Sequence, residues 1–123
     1  MPEIGQIIVD HAHGASIVAL CGEHDVSTAP AVQSELDAIL ATEANVVVDL
    51  TEATFIDSSI VRVIYVATTN STPARRIAVT APPDTMPRRL FEALALPDTV
   101  LTFTSRAAAM SYIRDSQESE EAG

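Results

Sequence analysis

The amino-acid sequence predicts an α/β fold, with one domain built on a mixed sheet of four or five strands and about four helices. Short apolar runs rich in β-branched residues recur along the chain, and segments that open with helix-capping residues separate most of them. The first two runs, Ile4–Val9 and Ser16–Cys21, are joined by a short turn containing Gly14, and they predict a hairpin. A hairpin followed by strand–helix alternation indicates a mixed sheet.

Length and charge indicate a single domain followed by an acidic tail. A chain of 123 residues can bury roughly two-thirds of its unfolded surface, which is enough for a core without disulfides or a metal. Residues 115–123 carry four acids and no base, and we expect this segment to be disordered. The predicted domain is therefore residues 1–114.

The charge of the chain excludes several function classes. A net charge of −10 argues against nucleic acid as a partner, because neutralising phosphates needs a basic surface. All seven basic residues are arginine, so no mechanism can use a lysine. Asp49 follows a predicted strand, as the phosphorylated aspartate of receiver domains does, but receivers need an active-site lysine.

The sequence also predicts no disulfide, no metal site and no membrane span. Cys21 is the only cysteine and lies in an apolar run, which is typical of a buried, inert thiol. His11 and His13 have only Asp10 nearby and do not complete a metal-ligand set. No apolar run approaches the ~20 residues that cross a bilayer, and the acidic start Met1–Glu3 lacks a signal-peptide pattern. We therefore expect a protein of the reducing cytoplasm.

The first helix is predicted to begin after the second strand. Ser27 or Thr28 can cap it, and Pro30 is tolerated in a first turn. Its expected core stripe, at spacings i, i+4, i+7 and i+8, consists of Val32, Leu36, Ile39 and Leu40.

The stretch Asn45–Thr69 carries the functional prediction. The run Val46–Val48 predicts a strand buried on both faces, and residues 49–55 are expected to leave it. The capping residues Asp57, Ser58 and Ser59 come next, so a phosphate added there would lie at the positive end of a helix. The following segment is ambiguous, because its β-branched content favours a strand whereas a helix would align Ile60, Val63, Ile64 and Ala67 on one face.

The last third of the chain continues the alternation. Arg76–Thr80 and Val100–Phe103 predict strands. Between them, Pro87–Leu94 predicts a helix, and a final helix is expected from Ser105 to Arg114.

Two segments resemble the STAS domain family, which is shared by anti-sigma factor antagonists and sulphate transporters. The first runs from Gly22 to Ala29 and keeps the family's Gly-Glu-x-Asp and Thr-Ala pairs. The second runs from Val46 to Val66, with Phe55 and the tripeptide Asp57–Ser59 in the family's order. This resemblance implies a STAS-like fold in which the ambiguous segment 59–69 is a helix. It also implies that the first hydroxyl after Asp57, that of Ser58, is the phosphorylated one.

The resemblance further implies an anti-sigma factor antagonist that is not itself an enzyme and uses no cofactor. Such a protein binds an anti-sigma factor with serine kinase activity and frees its sigma factor, until phosphorylation blocks binding and a protein phosphatase resets the switch. The residues expected to contact the partner are Glu23, Asp25, Thr28, Asp57, Ser58, Ser59, Ile60 and Arg62.

One departure from the family keeps an alternative open, because Ile60 replaces a glycine that lets a partner approach closely. In the first segment, His24 replaces an apolar residue. The alternative is a stand-alone STAS scaffold or a transporter-accessory module that binds a protein without a phosphoswitch. A serine hydrolase is disfavoured, because His24 is its only tempting base and the chain has no Gly-x-Ser-x-Gly elbow.

Overall fold

The computed structural model describes residues 5–12, 14–42, 44–70, 77–94 and 100–122, with side chains described up to residue 115. The strands are β1 Gln6–Ala12, β2 Ala15–His24, β3 Asn45–Asp49, β4 Ala53–Ile56, β5 Ile77–Thr80 and β6 Leu101–Phe103. The helices are α1 Ala29–Ala41, α2 Ser58–Asn70, α3 Met86–Ala93 and α4 Arg106–Ala122. The predicted strand ends Ile4 and Arg76, together with His13, lie outside the described residues.

The sheet is mixed, as the sequence predicted. Five strands follow the order β1-β2-β3-β5-β6, in which β1 and β2 are antiparallel and the other pairs are parallel. The hairpin between β1 and β2 supplies the antiparallel pair, and crossovers through the helices supply the parallel pairs.

A sixth strand, β4, was not predicted from the sequence, which had residues 49–55 leaving the sheet. It pairs in parallel with the end of β2, after a register shift between Gly22 and Glu23. Gly22 has a φ of 81°, a left-handed conformation that favours glycine. Because β3 pairs with β2 only as far as Ala19, the last residues of β2 need another strand to satisfy their backbone groups, and β4 provides it.

The helices cover the two faces of the sheet unequally. Helices α1, α2 and α3 pack on one face, where Leu36, Ile64 and Phe91 are buried against alternate residues of the strands. Helix α4 packs alone on the other face, where Ile113 is fully buried. The four helices therefore form two outer layers around one sheet.

The segment that the sequence left ambiguous is helical. Helix α2 buries one side, formed by Ile60, Val61, Ile64 and Ala67, in the main core. Burial of this side outweighs the weak helix propensity of its β-branched residues. The helix implied by the family resemblance is thus confirmed.

The last helix is longer than expected. Its first residue follows Ser105, whose Oγ accepts from the Ala108 N–H at 3.1 Å, as predicted for a capping serine. The sequence placed the helix end at Arg114, whereas α4 continues to Ala122. The added residues include Gln and Glu, which are good helix formers, so an acidic composition does not oppose the extension. The division of the chain at residue 114 stays a prediction.

Candidate functional site

The candidate site is built around the first turn of α2. Asp57 is the N-cap residue, since its Oδ1 accepts from the Ser59 N–H at 3.0 Å and also from the Ser59 hydroxyl. The Asp57 carbonyl accepts from the N–H groups of Ile60 and Val61, at 3.2 and 3.3 Å. Asp57 therefore satisfies the N–H groups of Ser59 and Ile60, which would otherwise lack partners at the start of this helix, and accepts the first regular helix bond from Val61.

The two serines that follow Asp57 differ in their surroundings. Ser59 is half-buried, and its hydroxyl is engaged by the Asp57 carboxylate. Ser58 is exposed, and its hydroxyl has no hydrogen-bond partner among the residues that the structure describes. Of the two hydroxyls, the one on Ser58 is accessible to another protein.

The loop between β2 and α1 lies beside this first turn. The His24 carbonyl accepts from the Asp57 N–H at 3.3 Å, and the strand pairing places Glu23 opposite Phe55. The structure thus brings together the two segments that carry the family resemblance. Strand β4, which the sequence did not predict, is the element that joins them.

His24 is a buried anchor of this loop. Its side chain is fully buried, with Nε2 at 3.2 and 3.1 Å from the carbonyl oxygens of Gln6 and Cys21. Its Nδ1 lies 3.1 Å from the Thr28 hydroxyl oxygen. Two carbonyl acceptors at Nε2 require that nitrogen to carry a proton. None of these partners is Ser58, which gives no support to His24 as a base for a serine nucleophile.

Asp25 shapes the same loop through local hydrogen bonds. Its Oδ1 accepts from the Ser27 N–H at 2.9 Å and from the Ser27 hydroxyl at 2.5 Å. These hydrogen bonds lower the pKa of the exposed Asp25 carboxyl. Thr28 is half-buried, and its Oγ1 lies 3.2 Å from both the backbone nitrogen and the carbonyl oxygen of Asp25. Hydrogen bonds from its own side chains therefore fix the conformation of this turn.

The predicted site residues divide by exposure. Glu23, Asp25, Ser58 and Arg62 are exposed, whereas Thr28, Asp57 and Ser59 are half-buried. Ile60 departs from the prediction, because its side chain is fully buried in the main core. It points inward since it lies on the core-facing side of α2, so it does not contribute a side chain to the surface around Ser58.

Several exposed apolar side chains near the site were not predicted as site residues. Phe55, Tyr65 and Val66 are each 40% exposed, and Val26 is 70% exposed. Tyr65 and Val66 lie on the same side of α2 as Ser58 and Arg62, at helical spacings. The sequence contained a signal for Tyr65 and Val66, because these two residues make the side of the helix away from the predicted core stripe apolar. Exposed apolar side chains that surround a polar centre are typical of a protein-binding surface.

A groove separates α1 from α2 next to the first turn. It encloses a cavity of about 560 Å³. Gln33 and Asp37 of α1 face Ser59, Arg62 and Val63 of α2 across it. No ion pair of Arg62 is found within the described part of the chain.

The remaining reactive side chains show no second site of this kind. Burial raises the pKa of the half-buried Cys21 thiol, and the nearby carboxylates of Glu52 and Asp49 raise it further, which keeps it a thiol at neutral pH. The His11 Nδ1 lies 2.9 Å from the Ser16 hydroxyl oxygen. Among described residues, no three His, Cys, Asp or Glu side chains are grouped to hold a metal, and no helix has the length and apolarity to cross a membrane.

Comparison with known proteins places this geometry in context. A sequence model of the STAS domain family matches residues 6–109. A search of curated proteins finds no match.

Solved structures share the fold at low sequence identity. An anti-sigma factor antagonist from Mycobacterium paratuberculosis is 23% identical with a TM-score of 0.85, covering 93% of this chain and 97% of its own. The anti-sigma factor antagonist SpoIIAA in its unphosphorylated form is 15% identical with a TM-score of 0.69, covering 89% of this chain and 98% of its own. The Bacillus cell fate determinant SpoIIAA in its phosphorylated form is 18% identical with a TM-score of 0.67, covering 89% and 100%.

Proposed function

Because the chain belongs to the STAS domain family, we propose that it is an anti-sigma factor antagonist whose docking surface is switched by phosphorylation of Ser58. The protein binds an anti-sigma factor with serine kinase activity and thereby frees the sigma factor. It supplies a hydroxyl and a surface, and performs no chemistry of its own. A separate protein phosphatase restores the unmodified form.

The observation that carries the proposal is the difference between the two serine hydroxyls. The Ser58 hydroxyl is exposed and unengaged at the start of α2, whereas the Ser59 hydroxyl is held by Asp57. A kinase must bring the acceptor oxygen into line with the γ-phosphate, so a free, exposed hydroxyl is the better acceptor.

The surroundings of Ser58 explain how a phosphate would stop docking. The exposed apolar residues Val26, Phe55 and Tyr65 offer a surface that a partner can bury. A phosphate adds about −1.5 to −2 charges, and burying those charges against a partner carries desolvation and repulsion costs. Two exposed acids of the neighbouring loop, Glu23 and Asp25, already make this surface negative. We therefore expect the unmodified surface to favour a partner with basic groups at its rim.

The proposal is tested with candidate anti-sigma factor kinases and ATP, followed by mass spectrometry of the peptide that contains Ser58. Ser58→Ala should abolish phosphorylation and preserve partner binding, because it removes a hydroxyl and adds no charge. Ser58→Asp should weaken binding through its permanent charge.

Ser59→Ala is the matched control. It removes one hydrogen bond to Asp57 but leaves the backbone N–H cap in place, so phosphorylation should continue. Loss of the phosphate in Ser59→Ala alone would mean that Ser59 is the acceptor. Binding of a protein partner with no phosphorylation by any candidate kinase would instead favour the scaffold or transporter-accessory module.

A further inference from the structure

We infer that Arg62 is the counter-ion for a phosphate on Ser58, and that phosphorylation withdraws this arginine from the docking surface into an ion pair along α2. This inference rests on the proposed function, because it takes Ser58 as the phosphorylated residue. It goes further by assigning the group that holds the phosphate.

Most backbone N–H groups at the start of α2 already have acceptors and are not available to bind a phosphate. Backbone N–H groups at a helix start are the usual anion donors. Here the N–H groups of Ser59, Ile60 and Val61 are already bonded to the side chain or carbonyl of Asp57. The Asp57 carboxylate also adds a negative charge to the same turn. Of the N–H groups in this turn, only that of Ser58 has no acceptor among the described residues, so a phosphate on Ser58 needs most of its hydrogen-bond donors from outside the helix cap.

Arg62 is placed to be that donor. It is four residues after Ser58 on the same helix, a spacing that puts two side chains on one face about 6 Å apart along the axis. The Cα–Cβ bonds of a helix tilt toward its N-terminus, so the Arg62 side chain leaves the helix in the direction of Ser58 and its guanidinium can reach a phosphate there. An anion that precedes a cation by four residues has the favourable order for such a pair, and a guanidinium can bind a phosphate with two parallel hydrogen bonds.

Arg62 is also uncommitted, unlike Arg88 and Arg106. The Nε atoms of Arg88 and Arg106 donate to the Ala81 carbonyl and to the Asp49 carboxylate, both at 2.7 Å. Arg62 is exposed and has no such partner within the described residues. Asp37 faces Arg62 across the groove, and Asp57, Glu23 and Asp25 are the acids around Ser58. A phosphate with a charge near −2 attracts the guanidinium more strongly than any one of these carboxylates does at the same distance.

The test uses the full chain with phosphoserine incorporated at position 58 during translation, so no kinase is needed. The second ionisation of the phosphate is followed by ³¹P NMR across pH 4–9, an interval chosen as roughly centred on its usual pKa of about 6. A pair with Arg62 favours the dianion, so Arg62→Gln should raise this pKa by about 0.2–0.4. The difference should shrink with added salt. Arg62→Lys keeps the charge but loses the planar guanidinium, so the phosphate pKa in this variant should lie between the values in the wild type and in Arg62→Gln.

Arg114→Gln is the control, because Arg114 is an exposed arginine on α4, on the opposite face of the sheet. It should leave the phosphate pKa unchanged, and the Nε–H NMR signal of Arg62, but not of Arg114, should move when Ser58 carries phosphate. Equal phosphate pKa values in the wild type and Arg62→Gln, or an equal rise in Arg114→Gln, would overturn the inference. Absence of modification by any kinase would count against the proposed function instead, since the pair can still form in the protein made with phosphoserine.

Discussion

Arg106 and Asp49 lie 57 positions apart in the chain and form an ion pair, with 2.7 Å between Arg106 Nε and Asp49 Oδ2. The Asp49 side chain is only 6% exposed, whereas that of Arg106 is 47% exposed. The pair ties the start of α4 to the end of the central strand β3. The Asp49 carboxylate also accepts from the Thr51 N–H and hydroxyl, at 3.0 and 2.5 Å, so its other oxygen is satisfied locally.

We expect Arg106→Gln to lower the free energy of unfolding by about 1–2 kcal/mol, because it leaves the buried Asp49 carboxylate without its cation. The loss should not be larger, since solvent around the exposed Arg106 side chain already weakens the ion pair. Asp49→Asn in the Arg106→Gln background should recover part of this loss. Urea unfolding of the two single variants and the double variant gives the coupling energy. Strictly additive effects would show that the two side chains do not interact in solution.

Asp57 should contribute more to stability than either serine beside it. Asp57→Ala removes the acceptor for the Ser59 N–H, and we expect it to reduce the free energy of unfolding by about 0.5–2 kcal/mol. Asp57→Asn is the matched control, since an asparagine oxygen can still cap the helix. Thermal or urea denaturation measures both, and equal losses in the two variants would indicate that the charge matters more than the cap.

Gly5 is predicted to tolerate no side chain. A Cβ on this residue would lie 2.3 Å from the Glu23 carbonyl oxygen and 2.8 Å from Cε1 of the His24 ring. Gly5→Ala should therefore cost about 1–3 kcal/mol of stability, as overpacking does. The nearest contact is with main chain, so combining Gly5→Ala with His24→Ala should not relieve the loss. Full rescue in the double variant would show that the imidazole alone sets the limit.

The carboxyl of Asp25 should titrate below its ordinary pKa of 3.8, because the Ser27 hydroxyl and N–H hydrogen-bond to its charged form. A carboxyl whose pKa is lower in the folded state stabilises the fold at pH values above its unfolded-state pKa. This contribution is lost as the pH falls through the folded-state pKa. The effect on stability should be small, since Asp25 is exposed to solvent. NMR titration of the Asp25 carboxyl should show a higher pKa in Ser27→Ala, and an unchanged value would exclude the Ser27 hydroxyl as the main cause, since the variant keeps the Ser27 N–H.

The exposed apolar residues provide a test of the docking surface. Tyr65→Ser should weaken binding to the proposed anti-sigma factor partner by about 1–2 kcal/mol, as expected for a residue near the centre of an interface, and should change stability by less than about 0.5 kcal/mol. Leu101→Ser, at a similarly exposed apolar residue on the edge strand β6, is the control and should leave affinity unchanged. Calorimetric titration measures both affinities, and an equal loss in the two variants would point to a general effect on the fold.

Much of the fold follows from local sequence patterns, whereas the detail of the site depends on contacts that those patterns do not encode. The starts of α1, α3 and α4 could be predicted because each is marked by capping residues, whereas the helical state of the segment after Asp57–Ser59 was implied only by the family resemblance. Strand β4 could not, because its pairing depends on the point at which β3 stops following β2, which is a property of the assembled sheet. The burial of Ile60 could have been predicted from the local pattern, since this residue belongs to the helical stripe that predicted the core side of α2.

The choice of Ser58 over Ser59 came from family resemblance. Three capping residues in a row leave open which one caps the helix, and only the hydrogen bonds of Asp57 resolve this. The role of His24 could not be predicted either, because its partner on β1, the Gln6 carbonyl, is 18 positions away in sequence.

Strand β2 is paired with three other strands, and this has a consequence for the local unfolding of the protein. Successive amide protons in the middle of β2 donate alternately to β1 and β3, so each can exchange with solvent only when β2 separates from one of these strands. Those that face β3, in the middle of the sheet, should exchange at rates close to those set by global unfolding. The start of α2 is attached to the end of this same strand through the Asp57 N–H and the His24 carbonyl. Addition of a phosphate should therefore leave the exchange rates of β2 nearly unchanged. Communication with a partner would then take place through altered surface charge rather than through a loosened fold.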